Sequence, residues 1–268
     1  MRRVTTVLLG LLLFSLALAC ALPFGLMFLT SFRTTTNLAL SWDFSAYHLD
    51  NYVTLFTTHS FLTRILTTVA VVVIACTLNV VTATMAAFGL SKKPFPGSKA
   101  VFWVIIATMM VPVQVTLVPL YTIMRELGLL NTHLGLALPI VTGFGVFLMK
   151  QFADGLPDEI IEAARIDGAP DRMVLLRIAV PLMKPVITAL LIFTFLAAWN
   201  DFLWPLVSIS QDQMQTVTYA IANLEGRSTT NYGLLTAGAT VSFLGPFIAY
   251  VILQRRFVEG IALTGTKG

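Results

Sequence analysis

An all-α membrane protein with six transmembrane helices is the fold class this sequence predicts. Two observations carry that prediction: charge is scarce, and it falls between long apolar windows. Of 268 residues, 57% are hydrophobic and 11% charged, against about 25% charge in an ordinary soluble domain. No Lys, Arg, Asp or Glu occurs in residues 4–32, 65–91, 100–124, 127–149 or 228–254, and residues 185–211 hold only Asp201. A helix needs about 20 mostly apolar residues to cross roughly 30 Å of hydrocarbon. In lipid its backbone groups must be bonded within the segment. The six windows therefore read as spans at 7–31, 62–90, 100–123, 133–152, 185–209 and 233–254 of one helical domain covering 1–268. The short alternating strands of an outer-membrane barrel do not show in the sequence.

Orientation follows from the basic residues. With the N-terminus inside, 13 of the 17 Lys and Arg residues fall in the inside segments, including Lys92, Lys93, Lys99, Lys150 and Arg165. Only Arg33, Arg64, Arg125 and Arg227 fall outside. The positive-inside rule places both termini and the 150–184 loop in the cytoplasm. The same bias explains the pI of about 9.2. No compact basic patch points to nucleic acid.

The first span begins like a signal peptide, MRRVTTVLLGLLLFSLALACAL. Its apolar run continues to Leu29, too long for a signal h-region, so it reads as a membrane helix. The outside segment 32–60 carries Trp42, Phe44, Tyr47 and Tyr52, suited to an interface. SKKPFPGSK is a short inside turn. Pro112 and Pro119 flank Gln114 in the third span and predict a kinked, partly opened helix. Pro139 and Gly143 fall in the fourth. Residues 210–232 form the most polar outside loop. Cys20 and Cys76 have no disulfide or metal spacing and read as packing residues.

The charged stretch between the fourth and fifth spans, 154–184, stands out. Pro157 fits the first position of a helix, where its missing N–H costs nothing. Asp158 and Glu159 then fall in the first turn, against the positive helix end. Gly168 sits where a C-terminal glycine belongs, and Pro170 and Asp171 can start a second helix. Five bases and six acids between 150 and 184 make this no polybasic membrane-surface helix. Small residues Ala163, Ala164 and Gly168 favour close approach of a cytosolic partner.

The motif in this loop is Glu162-Ala163-Ala164, three residues, Gly168, nine residues, Ile178, one residue, then Val180-Pro181. It resembles the EAA motif of permease subunits of bacterial ABC importers, with valine at 180 in place of leucine. VPVQVTLVPLYTIMRELGLLNTHLGLALP, AWNDFLWPL and the terminal QRRFVEG are similar to carbohydrate importer permeases of the maltose-type G-subunit family. The tail departs from the family's small-residue pattern at Ala262, Leu263, Thr264 and Thr266. The resemblance covers most of residues 50–268. It implies an ABC importer permease fold with a cytoplasmic EAA coupling helix, in the cytoplasmic membrane. It further implies a second permease subunit, two cytosolic ATPase subunits, an extracytoplasmic solute-binding protein and a sugar substrate. ATP and Mg would be bound by the ATPase subunits and no cofactor by this chain. By position, the ATPase-coupling residues would be Glu162, Ala163, Ala164, Arg165, Asp167, Gly168, Ile178 and Pro181. The family's binding protein meets the loop at 210–232 and its ATPases meet the C-terminal tail.

Candidates for the substrate path are the polar and aromatic residues within or beside spans: Asn79, Gln114, Trp199, Asn200, Asp201 and Trp204. Asp201 is the one formal charge inside a proposed span, and an intramembrane acid is a functional candidate. Bonding between helices is the alternative for Asn79, Gln114, Asn200 and Asp201, and packing or an interfacial belt for Trp199 and Trp204. His48, His59 and His133 are too dispersed to ligate a metal. No catalytic triad and no phosphate-binding glycine loop is present, so the expectation is a non-enzyme that does not itself bind ATP. An importer permease for glycerol phosphate or a related polyol is the nearest alternative. A phosphate ligand would favour cations in the path, and none lies within these spans, although the partner permease can supply them. A secondary transporter would call for paired internal charges or repeated broken helices, against which stand a lone Asp201 and no visible repeat.

Overall fold

The computed structural model describes residues 2–37, 43–224 and 230–265, without the side chains of residues 2–5, Phe44, Leu253 and 255–265. Trp42, Arg227, Thr266 and Lys267 lie outside the described residues, as do the side chains of Ala262, Leu263 and Thr264.

All regular structure among the described residues is helical. Three helices are long and apolar enough to cross a membrane alone: within α1 (Arg2–Ser31), Thr6–Ser31; α3 (Phe61–Ser91); and Tyr232–Ile252, the first part of the last helix. At 1.5 Å per residue, α3 is about 46 Å long and exceeds the hydrocarbon core. Between α1 and α3 lies the short α2 (Asp50–Thr57).

The other three predicted spans are not single helices. The third is α4 (Ser98–Thr108) and α5 (Val113–Glu126), bent by 103°. Pro112 is extended there, with φ −60° and ψ 134°. Proline lacks an N–H to donate and pushes Val111 away from helical angles, so the expected kink is a full break. Pro119 stays inside α5. The fourth is α6 (His133–Ala137), extended by one tighter turn to Ile140, then α7 (Gly143–Asp154), with a 50° bend at extended Val141 and Thr142. The fifth is preceded by the charged helices α8 (Asp158–Ile166) and α9 (Asp171–Leu182), and α9 meets α10 (Lys184–Asn200) at 77°. The predicted fifth span ran to 209. The helix instead stops at Asn200, because Asp201 is extended (φ −65°, ψ 125°), and a short α11 (Leu203–Ser208) follows. The remaining α-helices are α12 (Val217–Ala222) and α13 (Tyr232–Gly265).

The described chain falls into two units, Met1–Ile65 with Val217–Gly245, and Leu66–Thr216 with Pro246–Gly268. In the first, fully buried Leu55, Phe61 and Val217 pack with Ala220 and Leu224. The carbonyls at the end of α1 need partners, and Asn51 supplies them: its Nδ2 donates to Ser31 O and Arg33 O, each at 2.9 Å. Tyr52 and Ser31 hydroxyls lie 2.7 Å apart, and the Arg33 guanidinium stands 5.8 Å from the Tyr47 ring centre. Gly233 packs directly on the Arg33 carbonyl.

In the second unit one core joins five elements: Ala83, Ala87 and Phe88 of α3, Met149 and Ala153 of α7, Ile161 of α8, Val174 and Ala179 of α9, and Val186 and Leu190 of α10. Gly145 of α7 sits against Asn79 of α3; a Cβ there would lie 2.5 Å from Asn79 Oδ1 and 3.3 Å from Ala83 Cβ. Small residues let membrane helices approach this closely. Gly145→Ala is expected to destabilise the protein by about 1–3 kcal/mol, the usual overpacking cost. Thermal unfolding in detergent checks this. Adding Asn79→Ala should recover part of the loss if the two side chains share one space.

Candidate functional site

The charged loop leaves the core at buried Leu156. Pro157 is extended and precedes α8 as its N-cap, one residue earlier than expected. It hands Asp158 and Glu159 to the first turn, where the positive helix end favours acids. Ile161, 2% exposed, is the single buried residue of α8 and anchors it to the core. The helix closes in a Schellman motif: Gly168 N–H donates to Arg165 O and Ala169 N–H to Ala164 O, each at 3.0 Å. This closure puts Gly168 at φ +80°, a left-handed angle that costs glycine nothing.

Glu162, Ala163, Arg165, Asp167 and Gly168 are exposed around the C-terminal half of α8, and Ala164 is half-buried. Beside them Ile166 is 86% exposed. The rest of the motif is separated in role: Ile178 packs against the core, while Pro181 is exposed. The turn ahead of Pro181, Val174–Ala179, is wound as a π-helix. A proline cannot donate to the carbonyl four residues back, and wider π turns mark interrupted ladders.

Two residues that sequence reasoning assigned no role hold this loop. The Lys92 ammonium, just past α3, donates to Leu156 O at 2.7 Å and Asp158 Oδ1 at 2.6 Å. Its own carbonyl accepts from Arg165 Nη2 at 3.0 Å. Lys93 pairs with Asp171, which also faces Arg165 at 3.5 Å. The Lys93 hydrogen bond, offset in part by desolvation and reinforced by the Lys93 and Arg165 charges, holds the Asp171 carboxyl below its ordinary range. The only signal in the sequence was a lysine pair directly after an apolar span, and its partners lie 64 to 78 residues further on.

The path candidates do not form one cluster of mutual contacts. Asn79, 4% exposed, donates Nδ2 to Thr194 Oγ1 at 2.9 Å, joining α3 to α10. Its Oδ1 has no hydrogen-bond partner among the described residues. Gln114 is exposed near the start of α5, beside the 103° break. Trp199 is buried and stacks on Phe195 at 5.6 Å. Asn200 is exposed and bonds Leu196 O one turn back. Asp201 Oδ1 accepts from the Trp204 backbone N–H at 3.5 Å, at the start of α11. Trp204 is buried, with its indole N–H on Gly135 O at 2.9 Å, tying α11 to α6. In the loop at 210–232, Asn131 accepts from Ser210 and Gln211 N–H at 2.7 and 3.1 Å and donates to Ser210 Oγ at 3.0 Å. Residues 225–229 of that loop lie outside the described residues.

Comparison with known proteins agrees with this architecture. The chain is 33% identical over 260 residues to an arabinooligosaccharides transport system permease protein, AraQ, of Halalkalibacterium halodurans, covering 94% of this chain and 93% of the relative. It is 34% identical over 202 residues to an sn-glycerol-3-phosphate transport system permease protein, UgpE, of Shigella flexneri, covering 74% and 72%. In fold it matches a chain of a bacterial ABC transporter involved in the import of alginate, with TM-score 0.83, 21% identity, and 94% and 96% of the two chains covered. Residues 79–262, which include the Asn79 joint, the α8 loop and the Trp204 clamp, match the family of transport subunits described as binding-protein-dependent transport system inner membrane component. The chain belongs to that family, and is thus a multi-pass inner-membrane subunit of a transport system rather than one of its catalysts.

Proposed function

We propose that this chain forms half of the translocation path of an ATP-driven sugar or oligosaccharide importer and couples it to a cytosolic ATPase through α8. The observation that carries the coupling assignment is Ile166. An apolar side chain 86% exposed, flanked in the chain by exposed Arg165 and Asp167 on a helix rooted in the core, is open to a partner's groove. The EAA spacing around it supports the same role, with Glu162, Ala163 and Gly168 at the contact. The charge bias supports α8 and both termini on the cytoplasmic side. Asn79, Gln114, Trp199, Asn200, Asp201 and Trp204 remain the path candidates of this chain. Gln114 is the foremost of them, because it is exposed beside a broken helix, and non-helical backbone in a membrane is tolerated where it is buried or lines a cavity.

A second permease subunit, two ATPases that bind the ATP and Mg, and a solute-binding protein complete the proposed assembly. The AraQ relative favours an oligosaccharide cargo. The UgpE relative favours a second reading, glycerol phosphate or a related polyol. Co-purification of the tagged chain from its native membrane tests the proposal. Wild type should bring down an ATPase and a second permease, and Glu162→Lys should lose about tenfold or more of the recovered ATPase activity, as reversed charge at an interface hot spot does. Stimulation of that activity by the binding protein with arabinooligosaccharide or with glycerol 3-phosphate separates the two cargoes. A chain that purifies alone and moves solute without ATP overturns the proposal.

A further inference from the structure

The end of α3 grips both ends of α8. The Lys92 side chain is 3% exposed, and its ammonium reaches Leu156 O and Asp158 Oδ1, on either side of Pro157 where α8 begins. The Lys92 carbonyl takes the Arg165 guanidinium at the far end of the same helix. The next residue, Lys93, holds Asp171 at the start of α9. Ile161 of α8 shares a core with Ala87 and Phe88 of α3. A buried ammonium is costly unless paired, so this geometry is tightly specified.

The covalent route from α8 to α10 is less stiff. It runs through the left-handed turn at Gly168, the π-helical Val174–Ala179 and the 77° bend before Lys184. Interrupted ladders of this kind are where helices hinge.

Taking α8 as the coupling helix proposed above, we infer that Lys92 is the positioning residue that locks α8 to α3. A displacement of α8 by the ATPase is then delivered to α3 through this polar clasp, whereas α10 is joined to α8 by core packing and a jointed chain without such a clasp. Lys92 itself touches neither ATPase nor cargo in this arrangement.

Spin-label distances in the purified complex test the inference without reading activity. Cys20 and Cys76 are replaced by alanine, and labels are placed on Glu159→Cys with Phe95→Cys, or on Glu159→Cys with Lys184→Cys. The three labelled positions, 95, 159 and 184, are all exposed. A sample without the introduced pair corrects for cysteines of other subunits. Distances are compared without nucleotide and after trapping with ATP and vanadate. The 159–95 distance should stay within about 2 Å, the scale of a small helix shift, while the 159–184 distance changes by more. Lys92→Met, which keeps the aliphatic stem, should abolish that constancy while ATPase still co-purifies. Lys92→Arg, which reaches the same acceptors, should restore it. If Lys92→Met fails to assemble, Asp158→Asn decides in the same way, since the Asp158 side chain is 72% exposed and its loss leaves the Leu156 bond. A 159–95 distance that changes by more than about 2 Å in wild type, or that stays constant without the Lys92–Asp158 pair, overturns the inference. Absence of any ATPase from the wild-type preparation is a different failure, that of the coupling-helix reading itself.

Discussion

Gly233→Ala is expected to prevent this protein from accumulating in folded form. A Cβ at 233 would lie 1.7 Å from the Arg33 carbonyl oxygen and 2.8 Å from its carbonyl carbon, with Asn51 Nδ2 at 2.7 Å. The first two atoms are backbone and cannot swing aside. The same carbonyl is held by Asn51, which also bonds Ser31 O, and Tyr232 N–H donates to Thr35 O at 2.8 Å. The clash therefore opens the joint between the start of α13, the segment after α1 and α2 together. Overpacking usually costs about 1–3 kcal/mol, and occasionally more; backbone overlap belongs at the upper end. The measurement is the yield of monodisperse protein in detergent and its thermal midpoint, with Gly25→Ala as control, since nothing lies within 4 Å of a Cβ there. Normal yield and midpoint for Gly233→Ala would show that the joint is looser than the structure has it.

Gly168→Val is expected to have the larger effect on function and a small one on stability. Nothing lies within 4 Å of a Cβ at 168, so no packing is lost. The cost is conformational. At φ +80° an L-residue pays about 1–2 kcal/mol, and a β-branched one more. The chain can relieve that strain by unwinding the Schellman closure, which frees the carbonyls of Ala164 and Arg165 and lets Ile166 and Asp167 move. A shift of 1.4 kcal/mol is tenfold in a population, so ATPase recovered with the chain should fall roughly tenfold or more. Insertion and the thermal midpoint should hold, because Ile161 and the Lys92 contacts are untouched. Gly168→Asn, which tolerates left-handed angles, should retain most of the activity. Equal loss with asparagine and valine would mean that side-chain bulk, not backbone angle, is what the position excludes.

Only the second of these effects was visible in advance. Gly168 was legible because a C-terminal glycine after a charged helix is a local pattern, and its angle follows from the closure. Gly233 was not, since nothing beside it in the chain names Arg33. The same division holds for the fold. Six apolar windows were readable, but only as lengths. Pro112 announced an interruption in the third span without its 103° angle. The stop at Asp201 had no proline to announce it; the sequence offered an acid in a span, and in the structure its carboxylate faces the Trp204 N–H of the next helix. Trp204 and Asn79 were named for their chemistry, yet their partners Gly135 and Thr194 depend on which helices pack together.

What the sequence determined by itself is the all-helical membrane class, the charge bias, and the motif that marks α8. Lipid forces each segment to satisfy its own backbone, so a span is written in consecutive residues, and helix ends are written in the few residues that cap them. Only the tertiary structure decided where spans break, which glycines carry a neighbouring backbone, and that Lys92 turns from a flank of α3 into the anchor of α8. Those outcomes rest on pairings between residues far apart in the chain. A buried lysine or a close-packed glycine is tolerable or ruinous only according to what the packed helices bring against it.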